Sequence, residues 1–124
     1  MKIKQGVQMV GLQMPMRKAL IVADDVWKRY GKELVVTSAL DGEHSAQSLH
    51  YYGYALDFRS RYFTDEEKKY AAENLRKILG SDYHVIEHST HIHVEYEKSK
   101  IQELKNGRVD IFVTELGSSN LVSN

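Results

Sequence analysis

The sequence contains no cysteine and only one proline, Pro15. Without a thiol the chain can form no disulfide, thiolate zinc site or iron–sulfur cluster, and it has no cysteine nucleophile. It also lacks an apolar run near the ~20 residues that span a membrane. Residues 1–6 carry no apolar segment of the kind found in secretory signals. We therefore expect a protein made in the cytoplasm, without an export signal and without membrane association.

Net charge is missing as well, because 17 Lys and Arg residues balance 17 Asp and Glu residues. A nucleic-acid-binding protein needs a positive surplus to displace counterions from phosphates. The neutral balance therefore argues against a nucleic-acid partner and against an anionic membrane surface. A chain of 124 residues is expected to form one domain, and we expect it to act as a monomer.

Two helices are predicted by apolar spacing and by capping residues. Within residues 15–30, apolar side chains recur with the 3.6-residue period of a helix, and Gly31 suits the position after a helix end. Thr64 and Glu67 form a capping box that starts a second helix, and Gly80 suits its end. The buried stripe of the second helix is expected to contain Ala71, Leu75, Ile78 and Leu79.

Four short segments have the character of strands. Tyr83–Glu87 and His91–Tyr96 alternate apolar and polar residues across a three-residue connection, which is typical of a hairpin. Leu34–Thr37 is a β-branched run, and Tyr54–Arg59 alternates. The polar stretch between them, Ser38–Tyr52, is predicted to be a long functional loop. The mixture predicts an α+β fold, in which a small antiparallel sheet packs against two or three helices.

Histidine is concentrated in the predicted hairpin, which carries four of the six histidines of the chain. Residues two apart in a strand share a face, so His91, His93 and Glu95 are expected to project together. The three-residue connection would place Glu87 opposite His91, with the Cβ atoms about 5 Å apart. A solvated polar face would explain an isolated His-x-His, so the hairpin alone does not define a site.

A second segment favours a metal site. His50 and Asp57 lie seven residues apart, and Gly53 between them allows a sharp or closely packed backbone. Asp is depleted in strand interiors, and a buried Asp57 needs a partner, which a metal would supply. An ion pair with Arg59 or a turn cap is the simpler alternative. With His93, these residues make a three-ligand nitrogen and oxygen set, and catalytic zinc sites commonly use three protein ligands with a fourth position open.

Two motifs in these segments resemble a known family. Ser48–Asp57 has the pattern S-L-H-x-x-G-x-A-x-D, and Glu87–His93 has the pattern E-x-x-x-H-I-H. Both are similar to motifs of the zinc D-alanyl-D-alanine carboxypeptidase family, which includes phage endolysins that cut the peptidoglycan stem peptide. The local sequence is closest to the related hedgehog signalling domain. The resemblance extends from about Val35 to Tyr96 and implies the fold that these proteins share.

The resemblance also implies roles for individual residues. Glu87 would be the general base, His91 would stabilise the tetrahedral intermediate beside the metal, and His44 would line the substrate site. The zinc ligands would be the three residues of the nitrogen and oxygen set: His50, Asp57 and His93.

One departure from the family concerns substrate binding. The peptidases often carry an arginine shortly after the strand that corresponds to Leu34–Thr37, but residues 38–41 contain none. Arg59 or His44 could take its place. Glu95 shares the predicted face of the hairpin histidines and is a second candidate for the base.

The function implied by the resemblance is zinc-dependent hydrolysis of peptidoglycan stem peptides. The enzyme would be a D-Ala-D-Ala carboxypeptidase or an L-Ala-D-Glu type endopeptidase, for example a phage or prophage lysin that acts on the cell wall after release. Residues 1–98 would form the catalytic domain, and residues 99–124 a C-terminal extension with a disordered tail. The alternatives are a catalytically silent, hedgehog-like zinc-binding interaction module and a zinc-stabilised assembly protein.

Overall fold

The computed structural model describes residues 1–42, 44–45 and 47–103 of the chain. Residues 98–103 are helical at the end of the described part. The remainder of the predicted C-terminal extension lies outside the described residues, so the prediction of a disordered tail stays a prediction.

Both predicted helices are present, as α1 (Met14–Arg29) and α2 (Asp65–Leu79). The capping box of α2 is complete: the Thr64 hydroxyl accepts the Glu67 N–H at 3.1 Å, and the Glu67 carboxylate accepts the Thr64 N–H at 2.9 Å. One member of the predicted buried stripe is wrong, because Ile78 is 41% exposed. At 100° per residue it falls at the edge of the stripe, and the smaller Ala72 is buried instead.

The described residues form a sheet of five strands: β1 (Lys2–Ile3), β2 (Val35–Ser38), β3 (Ala55–Arg59), β4 (Tyr83–Glu87) and β5 (His91–Tyr96). Their order in the sheet is β1-β2-β3-β5-β4. All neighbours are antiparallel except β1 and β2, which are parallel. The predicted α+β class is confirmed, but the sheet is mixed instead of purely antiparallel. Its edge strand β1 runs parallel to β2 and, at two residues, is too short to be predicted from an alternating sequence pattern.

The two faces of the sheet have different roles. The helices cover one face, where Phe58 of β3 and Ile92 of β5 are fully buried and the ring of Trp27 from α1 lies 5.7 Å from that of Phe58. Because side chains alternate along a strand, the neighbouring residues Asp57 and His93 project from the opposite face. The helices thus supply the core and leave the second face free for polar side chains.

The predicted loop between β2 and β3 contains a 3₁₀ helix, Leu49–Tyr52, that ends at Gly53. Gly53 has φ +78°, and a Cβ atom at this position would lie 2.2 Å from the carbonyl oxygen of Gly11. The Gly53 carbonyl also accepts the Gln13 N–H at 3.0 Å. The close approach expected at this glycine is confirmed, and it holds the turn that separates His50 from β3.

Replacing Gly53 by alanine is expected to destabilise the protein by about 3 kcal/mol or more, because the substitution combines a positive φ with a backbone collision. Gly31→Ala is the matched control: φ there is +66°, but nothing lies within 4 Å of the added Cβ. Strain alone should cost it about 1–2 kcal/mol. Denaturant unfolding measures both values, and equal losses would contradict the contact with Gly11.

Candidate metal site

Three predicted ligands meet on the face of the sheet that the helices leave free. His50 comes from the 3₁₀ helix, and Asp57 of β3 lies directly opposite His93 of β5 in the strand register. The His93 Nδ1 atom is 2.9 Å from the Asp57 Oδ1 atom and 3.2 Å from the His50 Nε2 atom. His50 Nε2 is 3.3 Å from the same carboxylate oxygen. The three residues therefore form a group that could hold a metal ion.

The outer nitrogen of each imidazole is fixed by an acceptor. The His50 Nδ1 atom lies 2.7 Å from the Ala39 carbonyl oxygen, and the His93 Nε2 atom lies 2.8 Å from the Glu95 carboxylate. Carbonyl and carboxylate oxygens only accept, so these nitrogens carry the hydrogen and the inner nitrogens of the neutral rings carry lone pairs. Three electron-pair donors then point at one another, and they need a proton or a cation between them.

The spacing of these three atoms is compatible with three ligands around one metal ion. Ligands held about 2.0–2.1 Å from a tetrahedral ion are roughly 3.3 Å apart, close to the observed separations of 2.9, 3.2 and 3.3 Å. Histidine ligands usually donate their second N–H to a carboxylate or a carbonyl. Both histidines here already do so, which means that the surrounding residues preorganise the ligand set.

Asp57 supplies negative charge at the centre of the group. Burial raises the pKa of its carboxyl, but contacts with the His50 and His93 imidazoles, which share a proton with it when no metal is bound, outweigh burial and hold the pKa well below its usual range. Burial lowers the pKa of His93, whereas its bonds to Asp57 and Glu95 raise it above the usual value. A buried carboxylate requires a compensating positive group, and the described residues provide only imidazoles for it: no ion pair links Asp57 to Arg59, the alternative considered from the sequence.

Two further predicted residues flank the group. The His91 Nε2 atom lies 3.8 Å from the second oxygen of Asp57, and the His91 side chain is 31% exposed. The ring of His44 stacks on that of His50, with centroids 4.1 Å apart and planes 9° from parallel. The His44 Nε2 atom also contacts the Asp41 carbonyl oxygen at 2.9 Å. His91 therefore borders the site on its accessible side, and His44 supports His50.

Glu87 does not lie where the sequence predicted. The hairpin closes through two residues, because the His88 N–H bonds the His91 carbonyl at 2.9 Å, and Glu87 pairs with Ile92 instead of His91. A one-residue shift moves a side chain to the other face of a sheet. The Glu87 carboxylate accordingly lies 3.6 Å from the Arg76 guanidinium of α2. The predicted register is wrong, and the role of general base has no support in this arrangement.

Glu95 and Arg59 are the remaining predicted candidates on the site face. Glu95 contacts His93 directly and so acts as its positioning residue. Arg59 lies opposite His91 in the register, two residues beyond Asp57. The Ala39 carbonyl was missed by sequence reasoning, because a backbone acceptor leaves no signature in the residue type.

No protein-family model matches the chain, and no curated protein is significantly similar to it. Within the described residues, no helix combines the length and the apolar character needed to cross a membrane. The metal site is therefore described from the arrangement of His50, Asp57 and His93 alone.

The metal-free protein is expected to bind one equivalent of Zn²⁺, which stabilises the folded state by about 4 kcal/mol when free zinc exceeds the dissociation constant a thousandfold. Thermal unfolding and calorimetric titration measure both quantities. His93→Ala should abolish the binding. His84→Ala is the matched control, because His84 occupies the same hairpin but pairs with Glu97. Equal losses of zinc binding in His93→Ala and His84→Ala would show that the metal binds elsewhere.

Glu95→Gln is expected to weaken zinc binding about 10- to 100-fold, because the amide holds the His93 ring less firmly than a carboxylate. Glu87→Gln removes the same charge on the opposite face of the sheet and should leave the affinity unchanged. Competition with a chromophoric chelator gives both constants. A reversal of the two effects would show that the hairpin register differs from the one described.

Proposed function

We propose that the protein is a zinc-dependent hydrolase that cleaves a peptide bond in peptidoglycan stem peptides. The single observation that carries the proposal is the convergence of His50, Asp57 and His93, whose inner atoms face one another while their outer nitrogens are held by Ala39 and Glu95.

Zinc is the metal that suits this ligand set. Two imidazoles and one carboxylate match the nitrogen and oxygen ligands of catalytic zinc, and three protein ligands leave a fourth position for water or substrate. When bound at such a site, zinc activates water and polarises a carbonyl as a Lewis acid. The partly exposed His91 beside the group indicates the side from which a substrate could enter.

The residues of the chain supply positioning and proton transfer. Asp57 has three imidazoles within 4.0 Å of its carboxylate, and His91 is the one outside the ligand set. An imidazole can both accept and donate a proton near neutral pH. His91 would thus accept a proton from the attacking water and stabilise the developing oxyanion. The second of these roles is the one that the resemblance implies. In the reaction, hydroxyl adds to the carbonyl carbon, the C–N bond breaks, and the remaining proton of water goes to the leaving amine.

The substrate class is supported by the resemblance of two motifs. The segment Ser48–Asp57 contains two of the ligands, His50 and Asp57, seven residues apart. The segment His91–His93 contains the third ligand, His93, and the nearby His91. In the zinc D-alanyl-D-alanine carboxypeptidase family this combination acts on the stem peptide, at a terminal or an internal bond. A phage or prophage lysin is the biological role we infer from it.

A second candidate function is a catalytically silent zinc-binding interaction module. The position of Glu87 favours it, since the carboxylate expected to act as base contacts Arg76 on the helix side. In that case the metal would stabilise the fold and the surface around it would bind a partner.

Incubation of the zinc-loaded protein with purified muropeptides separates the two candidates. We expect cleavage, detected by mass spectrometry, that a chelator abolishes and zinc restores. His91→Gln should retain zinc but lose at least 100-fold in turnover, within the range for a lost proton-transfer group. Glu87→Gln serves as the control and should retain activity.

Two outcomes would count against the hydrolase. Stoichiometric zinc without cleavage of any muropeptide supports the interaction module. Loss of turnover in Glu87→Gln with zinc retained would restore Glu87 as the base and require another hairpin register during catalysis.

A further inference from the structure

A second polar feature lies beside the metal group on the same face of the sheet. It is a pocket of about 180 Å³, lined by residues of β2, β3, β5 and the hairpin turn and by residues that follow the ends of β1 and β3. We call it the cationic pocket, and its lining residues are Lys4, Thr37, Arg59, Arg61, Thr90 and His91.

The described lining of this pocket carries charge of one sign only. Lys4, Arg59 and Arg61 bring three positive charges and the lining contains no carboxylate, although the whole chain is neutral. Other cations of the chain do pair, as Lys28 does with Asp24 and Arg29 with Asp25. Among the described residues, no ion pair neutralises any of the three cations of the pocket. Such a concentration of one sign in a concave surface attracts an anion.

The pocket is joined to the metal group by His91. This residue lines the pocket and also approaches the carboxylate of Asp57 to 3.8 Å. Arg59 pairs with His91 across the strands and lies two residues from Asp57, a distance of about 7 Å along a strand. One peptide residue spans about 3.5 Å, and a charge-assisted hydrogen bond adds about 2.8 Å. The spacing of the two strand positions therefore matches a carbonyl at the metal group and an anionic group about one residue further along, in the pocket.

The size and chemistry of the pocket favour a small planar anion. Its volume of about 180 Å³ is below the roughly 300–1,000 Å³ of sites that enclose a whole small molecule. The two guanidinium groups match the bidentate geometry of a carboxylate. The backbone of Lys4 is held beside β2, since its N–H donates to the Val36 carbonyl at 2.9 Å.

We propose that the cationic pocket binds the free terminal carboxylate of the peptide substrate, so that the protein releases a C-terminal residue instead of cutting within the chain. This reading rests on the proposed hydrolase function. It chooses between the two peptidase activities that the motifs leave open, and it assigns Arg59 and Arg61 together, with Lys4, to substrate binding.

Binding is tested separately from catalysis, with N-acetyl-D-alanine and its uncharged amide as probes. We expect the acid to shift the backbone amide signals of Thr37 and Thr90 in NMR titrations of the zinc-loaded protein, and the amide to bind at least tenfold more weakly. Arg59→Gln and Arg61→Gln should each weaken binding of the acid at least fivefold. Arg17→Gln, an exposed arginine outside the pocket, should bind both probes as the native protein does.

Cleavage is tested with a stem peptide that ends in a free carboxylate and with the same peptide as its C-terminal amide. The acid should be the better substrate, with a KM at least tenfold lower, and the KM difference should shrink in Arg59→Gln. Equal cleavage of both peptides, or products cut only at an internal bond, would overturn the proposal.

The other outcomes of the binding and cleavage tests also decide whether the proposal holds. Equal binding of the acid and amide probes overturns the proposal, and so does inorganic phosphate binding the pocket more tightly than the acid, which would identify a phosphate site. If neither peptide is cleaved while the acid still binds through Arg59 and Arg61, the carboxylate site stands and the proposed hydrolase function fails.

Discussion

The carboxylate of Asp57 is the constraint on which the rest of the site depends. It projects from the middle of β3, opposite His93 of β5, and is nearly enclosed, with 8% of the residue exposed. A charge in this position is costly unless positive groups surround it. Three imidazoles surround it, two from β5 and one from the 3₁₀ helix. In both histidines of the ligand set, the ring nitrogen that faces away from Asp57 donates to an acceptor of its own. The same arrangement that tolerates the buried charge also forms a group that could hold a cation.

The division of the sheet into two faces makes this arrangement compatible with a stable fold. Both helices pack on one face, where Trp27 and Phe58 are among the fully buried side chains. The other face can then carry polar groups without interrupting the core. Adjacent residues of a strand point to opposite faces. Phe58 can therefore pack in the core while its neighbour Asp57 belongs to the polar group on the other face. The core therefore fixes the strand register, and the register fixes the distance between Asp57 and His93.

Much of the molecule could be predicted from local patterns, and the failures have physical causes. The bounds of β4 and β5, the capping box of α2 and the grouping of His50, Asp57 and His93 follow from periodicity, from capping chemistry and from the residue types that bind metals. The position of Glu87 could not be fixed, because a two-residue and a three-residue connection fit the same letters yet place this side chain on opposite faces. The parallel pairing of β1 and the acceptor role of the Ala39 carbonyl depend on the path of the backbone, which residue identity does not encode.

The two histidines of the site have unequal partners, and this has a chemical consequence. His50 donates to a neutral peptide carbonyl, whereas His93 donates to the charged carboxylate of Glu95. A carboxylate raises the basicity of the imidazole that it contacts more than a carbonyl does. His93 is consequently the stronger electron donor of the pair. A cation bound by this group would therefore be held more firmly from the sheet, through His93, than from the short helix that bears His50.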